Sequence, residues 1–252
     1  MVFAAVIFSH HYVLYCAVTL IIMALLYEVY SAMDFDKNVK LTGYGAALVL
    51  CIGFVINARM LAVFGAIVLF MATLIRRHGT VKAVEVLASC AVTLFVSMFM
   101  LSLVLIRKKC DQYTVILPFV CAWLTDTGAY FTGTFLGKHK LVPNISPKKT
   151  VEGAIGGLLL STIGSAAYII ILVEVMAGGM PDIVYILKFA LVGFAGSIVA
   201  QAGDLIASCI KRDFGKKDYG QVLPGHGGFM DRFDSVILVA PFVYYAMMHF
   251  IL

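Results

Sequence analysis

Long apolar runs alternate with short polar breaks along this whole chain. The runs lie near residues 10–30, 41–56, 60–75, 84–106, 114–135, 152–176, 184–207 and 233–251. Most approach the roughly 20 residues that a helix needs to cross a hydrocarbon core of about 30 Å. The second and third are short, and the polar step Asn57-Ala58-Arg59 between them suits the turn of a hairpin. Backbone N–H and C=O groups in lipid find no water and must bond within their own segment, which at this length means helix. The pattern predicts an all-α, polytopic integral membrane protein with about eight transmembrane helices.

Composition agrees with the pattern. Of the 252 residues, 62% are hydrophobic and 13% charged, against about 25% charged in soluble domains, and the mean hydropathy is +0.99. The formal charge of +5 is a matter of orientation rather than of nucleic-acid binding. If the loops after spans 1, 3, 5 and 7 face the cytoplasm, they carry 14 of the 19 basic residues, as the positive-inside rule asks. The triplet Arg107–Lys109 opposes that assignment, but the majority supports it. The chain would then start outside, although Met1–Ser9 is apolar and too short to span, so a helix ahead of residue 1 is expected to be missing. The compact length and the lack of a targeting extension favour a bacterial inner membrane. The six cysteines are scattered, mostly within apolar spans and without a CxxC pair. They read as small buried hydrophobes rather than as a disulfide framework or a zinc site.

Polar chemistry divides the chain near residue 110. Residues 1–110 form apolar helices with only Glu28 and Glu85 near span ends, and suit either packing or the face of a homodimer. Residues 111–252 place ionisable groups in or beside spans, where their cost makes each a functional candidate. Asp126 and Tyr130 lie four apart on one helix face, and Gly133 and Gly137 continue it with small residues that permit close helix approach. Asp126 is either part of a polar packing seam or a carboxylate lining a ligand cavity. In Ser146-Pro147-Lys148-Lys149-Thr150-Val151-Glu152-Gly153, Pro147 bars a preceding helix, and Thr150 is placed to cap the next one. Lys148 and Lys149 stand beside that helix N-terminus, where N–H groups favour anions. They read as phosphate-binding point charges or as plain topology determinants. Asp204, Ser208 and Lys211 form one stripe at the end of the seventh span. Asp204 needs a partner there, either Lys211 or a metal.

The densest polar run is Ser208–Asp234, SCIKRDFGKKDYGQVLPGHGGFMDRFD. Its lysines and arginines, its aspartates and the flexible Pro224-Gly225-His226-Gly227-Gly228 suit a phosphorylated, metal-bound ligand at a membrane surface. The glycines let backbone N–H groups approach an anion. His226 is more simply a packing or hydrogen-bonding residue than a base. Asp231 and Asp234 project to one side at the start of the last span, where the helix dipole also favours carboxylates. With Asp204 they make an oxygen donor set suited to Mg²⁺, which takes one or two carboxylates together with substrate phosphates.

Ser208-x-Ile210-Lys211-Arg212, then Lys217-Asp218-x-Gly220, then Leu223-Pro224-Gly225-His226-Gly227-Gly228-Phe229-x-Asp231-Arg232-x-Asp234 resembles the defining motif of the phosphatidate cytidylyltransferases, the CDP-diacylglycerol synthases. The Asp126–Gly133 and Ser146–Gly153 blocks resemble that family's other polar segments in order and spacing, so the resemblance covers roughly residues 12–252. One departure is at the start, where family members usually have another hydrophobic helix. The resemblance implies that CTP and phosphatidic acid give CDP-diacylglycerol and pyrophosphate at the cytoplasmic face of the cell membrane. It implies Mg²⁺, with room for a second cation such as K⁺. Asp204 and Asp231 are the expected metal ligands, with Asp234 and Asp126 as ligands or their support. Lys211, Arg212, Lys217 and Arg232 are expected on the triphosphate or the leaving pyrophosphate, and Lys148 and Lys149 on phosphatidate or nucleotide phosphate. Ser208 is expected to orient a phosphate or a metal-bound water, and Tyr130, His226 and Gly227 to line the substrate site. A cation-coupled transporter would explain the buried acids but not the clustered lysines and the Gly-His-Gly-Gly loop. A related CTP-dependent lipid kinase is the nearer alternative, although no P-loop is present.

Overall fold

A computed structural model describes residues 11–220 and 228–251. Among these residues eight helices dominate: α1 His11–Ala32, α2 Lys37–Val55, α3 Arg59–Arg76, α4 Ala83–Lys109, α5 Leu117–Leu136, α6 Val151–Ala177, α7 Ile183–Asp213 and α8 Met230–Ala246. A 3₁₀ turn, Thr114–Ile116, leads into α5, and a π-helical turn, Met247–Ile251, extends α8. Counting these extensions, eight helical segments are long and apolar enough to cross a membrane. The chain is an all-α, multi-pass membrane protein. Exposed side chains such as Met60, Leu61 and Phe64 on α3 belong in hydrocarbon, where an apolar outer face carries no penalty.

The helices group into two compact units. The first takes the chain up to Val104 together with Phe214–Arg232, and the second takes Leu105–Asp213 together with Phe233 onward. The dense polar run is therefore shared out: most of Phe214–Arg232 goes with the N-terminal helices rather than with α5–α7.

In the first unit, α2 and α3 form the expected hairpin, turning at Asn57, which takes a left-handed φ of 59°. Asparagine tolerates that region better than most residues. Thr42 and Thr73 exchange a hydroxyl hydrogen bond of 2.8 Å across the two helices, and the Asp36 side chain caps α2 by accepting the Asn38 N–H at 2.8 Å. That bond holds the Asp36 carboxyl below its ordinary range.

In the second unit, small residues draw α5, α6 and α7 together. A Cβ on Gly157 would stand 2.6 Å from the Thr125 carbonyl oxygen, and one on Gly128 would stand 2.7 Å from that of Gly156. Ser161 ties α6 to α7 by donating to the Gly193 carbonyl at 2.9 Å. The α5–α6 connection departs from the all-helical expectation: β1 Lys140–Val142 pairs antiparallel with β2 Ser146–Thr150. Thr150 caps α6 as expected, accepting the Gly153 N–H at 3.1 Å. Glu152 then fastens the hairpin's base, accepting the Lys138 and His139 N–H groups at 3.1 and 3.2 Å and meeting His139 Nδ1 at 2.6 Å.

Candidate functional site

The second unit contains a cavity of about 480 Å³ at the basic end of α5–α7. Asp126, Tyr130 and Gly133 of α5 form one wall, Lys140, Lys148 and Lys149 of the hairpin another, and Gln201 and Asp204 of α7 a third. The four-residue step from Asp126 to Tyr130 thus does what the helical period predicts. The glycine seam explains why the cavity lies here, because α5 and α6 can approach closely only where neither carries a bulky side chain.

Lys149 Nζ lies 2.6 Å from Asp204 Oδ2. Lys211 or a metal is the expected partner of Asp204. The structure adds a lysine from the hairpin, because the hairpin folds back over the end of α7. Arg212 makes the same connection from the other side, its Nε donating to the Ile145 carbonyl at 3.4 Å. Ser208 donates to Asp204 Oδ1 at 3.4 Å, so the Asp204–Ser208 part of the helical stripe holds.

Asp204 does not stand alone. Asp126 and Asp234 are each close enough to feel its charge and one another's, and Lys211 acts on Asp234. Ser235 joins the two flanking acids, its hydroxyl reaching Asp126 Oδ2 at 3.5 Å and Asp234 Oδ1 at 3.3 Å. A Cβ on Gly203 would meet the Asp234 carbonyl at 2.8 Å, which shows how closely α7 and α8 pack at this level. The three aspartates offer oxygen donors only, a chemistry that suits a hard divalent cation, and Lys149 and Lys211 stand beside them as positive charges. Among the described residues, no group of three or more His, Cys, Asp or Glu side chains stands in cation-binding geometry. Mg²⁺ does not require such a group, since it usually keeps several waters and completes its shell with substrate phosphates.

Asp231, Arg232 and Lys217 belong to the first unit. Asp231 Oδ2 accepts the backbone N–H groups of Tyr219 at 3.0 Å and Gly228 at 3.2 Å, so this carboxylate organises the polar motif around itself. Lys217 lines a smaller polar recess with Lys216, Asp218 and Ser31. His226 and Gly227 lie outside the described residues.

Sequence reasoning passed over Glu28. It is 1% exposed and its two oxygens accept the N–H groups of Phe229 at 2.8 Å and Met230 at 2.6 Å. A signal was present: an acid inside an otherwise apolar span is costly unless something holds it.

A sequence profile described as the Cytidylyltransferase family matches residues 1–250. A phosphatidate cytidylyltransferase of Bacillus subtilis (strain 168) is 41% identical over 143 residues, 56% of this chain and 50% of that protein. Those of Staphylococcus haemolyticus and Staphylococcus aureus (strain COL) are 48% and 46% identical over 127 residues, in each case 50% of this chain and 46% of the relative. The chain thus spans about half the length of the relatives it matches.

Proposed function

The chain belongs to the cytidylyltransferase family, and from that premise we propose that it transfers the cytidylyl group of CTP to phosphatidic acid, giving CDP-diacylglycerol and pyrophosphate. The observation that carries the reading is the cavity whose walls bring Lys148, Lys149, Asp126 and Asp204 together. Anion-binding and cation-binding groups there face one space, as a reaction between two phosphates requires.

In this reaction a phosphatidate oxygen forms a new bond to the α-phosphorus of CTP. The bond from that phosphorus to the bridging oxygen breaks, and pyrophosphate leaves with the electron pair. The nucleophile is already an anion, so no proton need be removed and His226 need not act as a base. What the protein must supply is alignment and charge neutralisation. Mg²⁺, when bound, would offset charge on the reacting phosphates, and a second cation such as K⁺ would act nearby. Asp204, supported by Asp234 and Asp126, is the proposed acidic ligand of the second unit, and Asp231 that of the first. Lys149, already paired with Asp204, and Lys148 would hold substrate phosphate. Lys211, Arg212, Lys217 and Arg232 would steady the triphosphate and the leaving pyrophosphate, with Ser208 orienting a phosphate or a metal-bound water.

The site would face the cytoplasm, because CTP is a soluble anion and the basic loops favour that side. The acyl chains would stay in the bilayer, with Tyr130 and its neighbours on α5 along their path. A homodimer would use the apolar first half.

The test is direct. Purified protein in lipid nanodiscs, given Mg²⁺, phosphatidate and CTP labelled in its α-phosphate, should yield a labelled lipid and one pyrophosphate for each lipid formed. Release of CDP with transfer of the γ-phosphate alone would make the protein a lipid kinase and overturn the reading.

A further inference from the structure

Glu28 is an acid of α1 with 1% exposure, and its oxygens are committed to backbone on the far side of the sequence. Oε1 accepts the Phe229 N–H at 2.8 Å and Oε2 the Met230 N–H at 2.6 Å. Met230 opens α8, so these donors lie at a helix start, where the first N–H groups have no partner within the helix and a negative charge is favoured by the dipole. One residue on, Asp231 Oδ2 accepts the N–H groups of Tyr219 and Gly228 at 3.0 and 3.2 Å. Two carboxylates thus gather four backbone donors, all within one compact unit.

The glycines fit the same arrangement. A Cβ on Gly220 would stand 2.8 Å from Glu28 Oε1, and one on Gly228 would stand 2.9 Å from Glu28 Oε2 and 2.7 Å from Asp231 Oδ2. Gly220 has no positive φ, so backbone freedom is not the reason for a glycine there. The space where a side chain would start is filled by carboxylate.

We propose that Glu28 is a positioning residue: by holding the first N–H groups of α8 it fixes the backbone that carries Asp231, and so sets where that carboxylate can meet a divalent cation. This rests on the cytidylyl-transfer reading only for the cation's purpose. Glu28 contacts backbone and acts through Asp231. Gln at this position keeps the shape and one acceptor oxygen, but turns an NH₂ group toward a backbone donor, so one of the two bonds is lost and replaced by repulsion.

The experiment uses the full chain in nanodiscs with two readouts that need no turnover. Hydrogen exchange should show the Phe229 and Met230 amides exchanging at least tenfold faster in Glu28→Gln, with exchange in the α2–α3 hairpin unchanged. Mn²⁺ binding, followed by paramagnetic resonance, should weaken about tenfold. Gly220→Ala, which pushes on Glu28 Oε1 from outside, should reproduce both effects and serves where Glu28→Gln does not fold. Unchanged exchange at those two amides would overturn the hold. Faster exchange with unchanged Mn²⁺ affinity would overturn the action through Asp231. A wild-type protein that makes no CDP-lipid would sink the proposed reaction while leaving both readouts to decide the role of Glu28.

Discussion

Removing the Lys149 charge should destabilise the second unit by an amount set by how far the Lys149–Asp204 pair is withdrawn from water. At 2.6 Å, the raw attraction is roughly 6 kcal/mol at an effective dielectric constant of about 20. Desolvation and side-chain ordering absorb much of that. Exposed pairs contribute about 0.2–1 kcal/mol, whereas stripping one partner from a fully buried pair costs about 3–5 kcal/mol. The two side chains are 25% and 28% exposed, between those limits, so Lys149→Met is expected to cost about 2 kcal/mol. In a chain of this size that corresponds to a fall of about 4–8 °C in Tm.

The loss of Lys149 also leaves Asp126, Asp204 and Asp234 facing one another with one cation fewer, so neutralising Asp204 should relieve part of the damage. Thermal unfolding in detergent of Lys149→Met, Asp204→Asn and the double variant, followed by circular dichroism, should give a coupling of about 1–2 kcal/mol. Effects that add within about 0.5 kcal/mol would refute the pairing, and with it the placement of the hairpin over the end of α7.

Four further outcomes are expected. Asp231→Asn should cut cytidylyl transfer by at least about 100-fold while inserting normally, measured with α-labelled CTP in nanodiscs. Gly157→Val, whose Cβ would strike the Thr125 carbonyl, should cost about 1–3 kcal/mol through overpacking; Gly45→Ala, with open space around it, should be near neutral in the same melts. Thr150→Ala should remove the α6 cap at a cost of about 1 kcal/mol, and Thr150→Ser should restore most of it. The Asp36 cap, whose carboxyl sits below its ordinary 3.8, should contribute fully above that value. Its contribution should fade as the pH falls through the depressed one, and Asp36→Asn should remove that acid dependence from hydrogen exchange at the start of α2.

The helices were legible because lipid leaves the backbone one economical solution and the apolar runs mark where it applies. The Asn57 turn was legible for a local reason too, since a polar step between two short runs leaves the chain little else to do. Hydrophobic patterning has much less to say about Lys140–Thr150. Strands of three and five residues, rich in lysine and broken by proline, carry no alternation of apolar and polar positions from which pairing could be read. Without that hairpin, Lys149 could not be named as a partner of Asp204. Helical spacing can nominate only neighbours on the same helix, and so it offers Lys211, while Lys149 arrives on a chain reversal from elsewhere. Glu28 is the same problem at greater range. Its partners are backbone N–H groups, which every residue but proline possesses, so no side-chain motif could name them. What the sequence does show is the cost of an acid in an apolar span, together with glycines at 220 and 228. An uncompensated cost in one place and an unexplained vacancy of side chain in another are complementary, and the structure joins them: the carboxylate occupies the space the glycines leave.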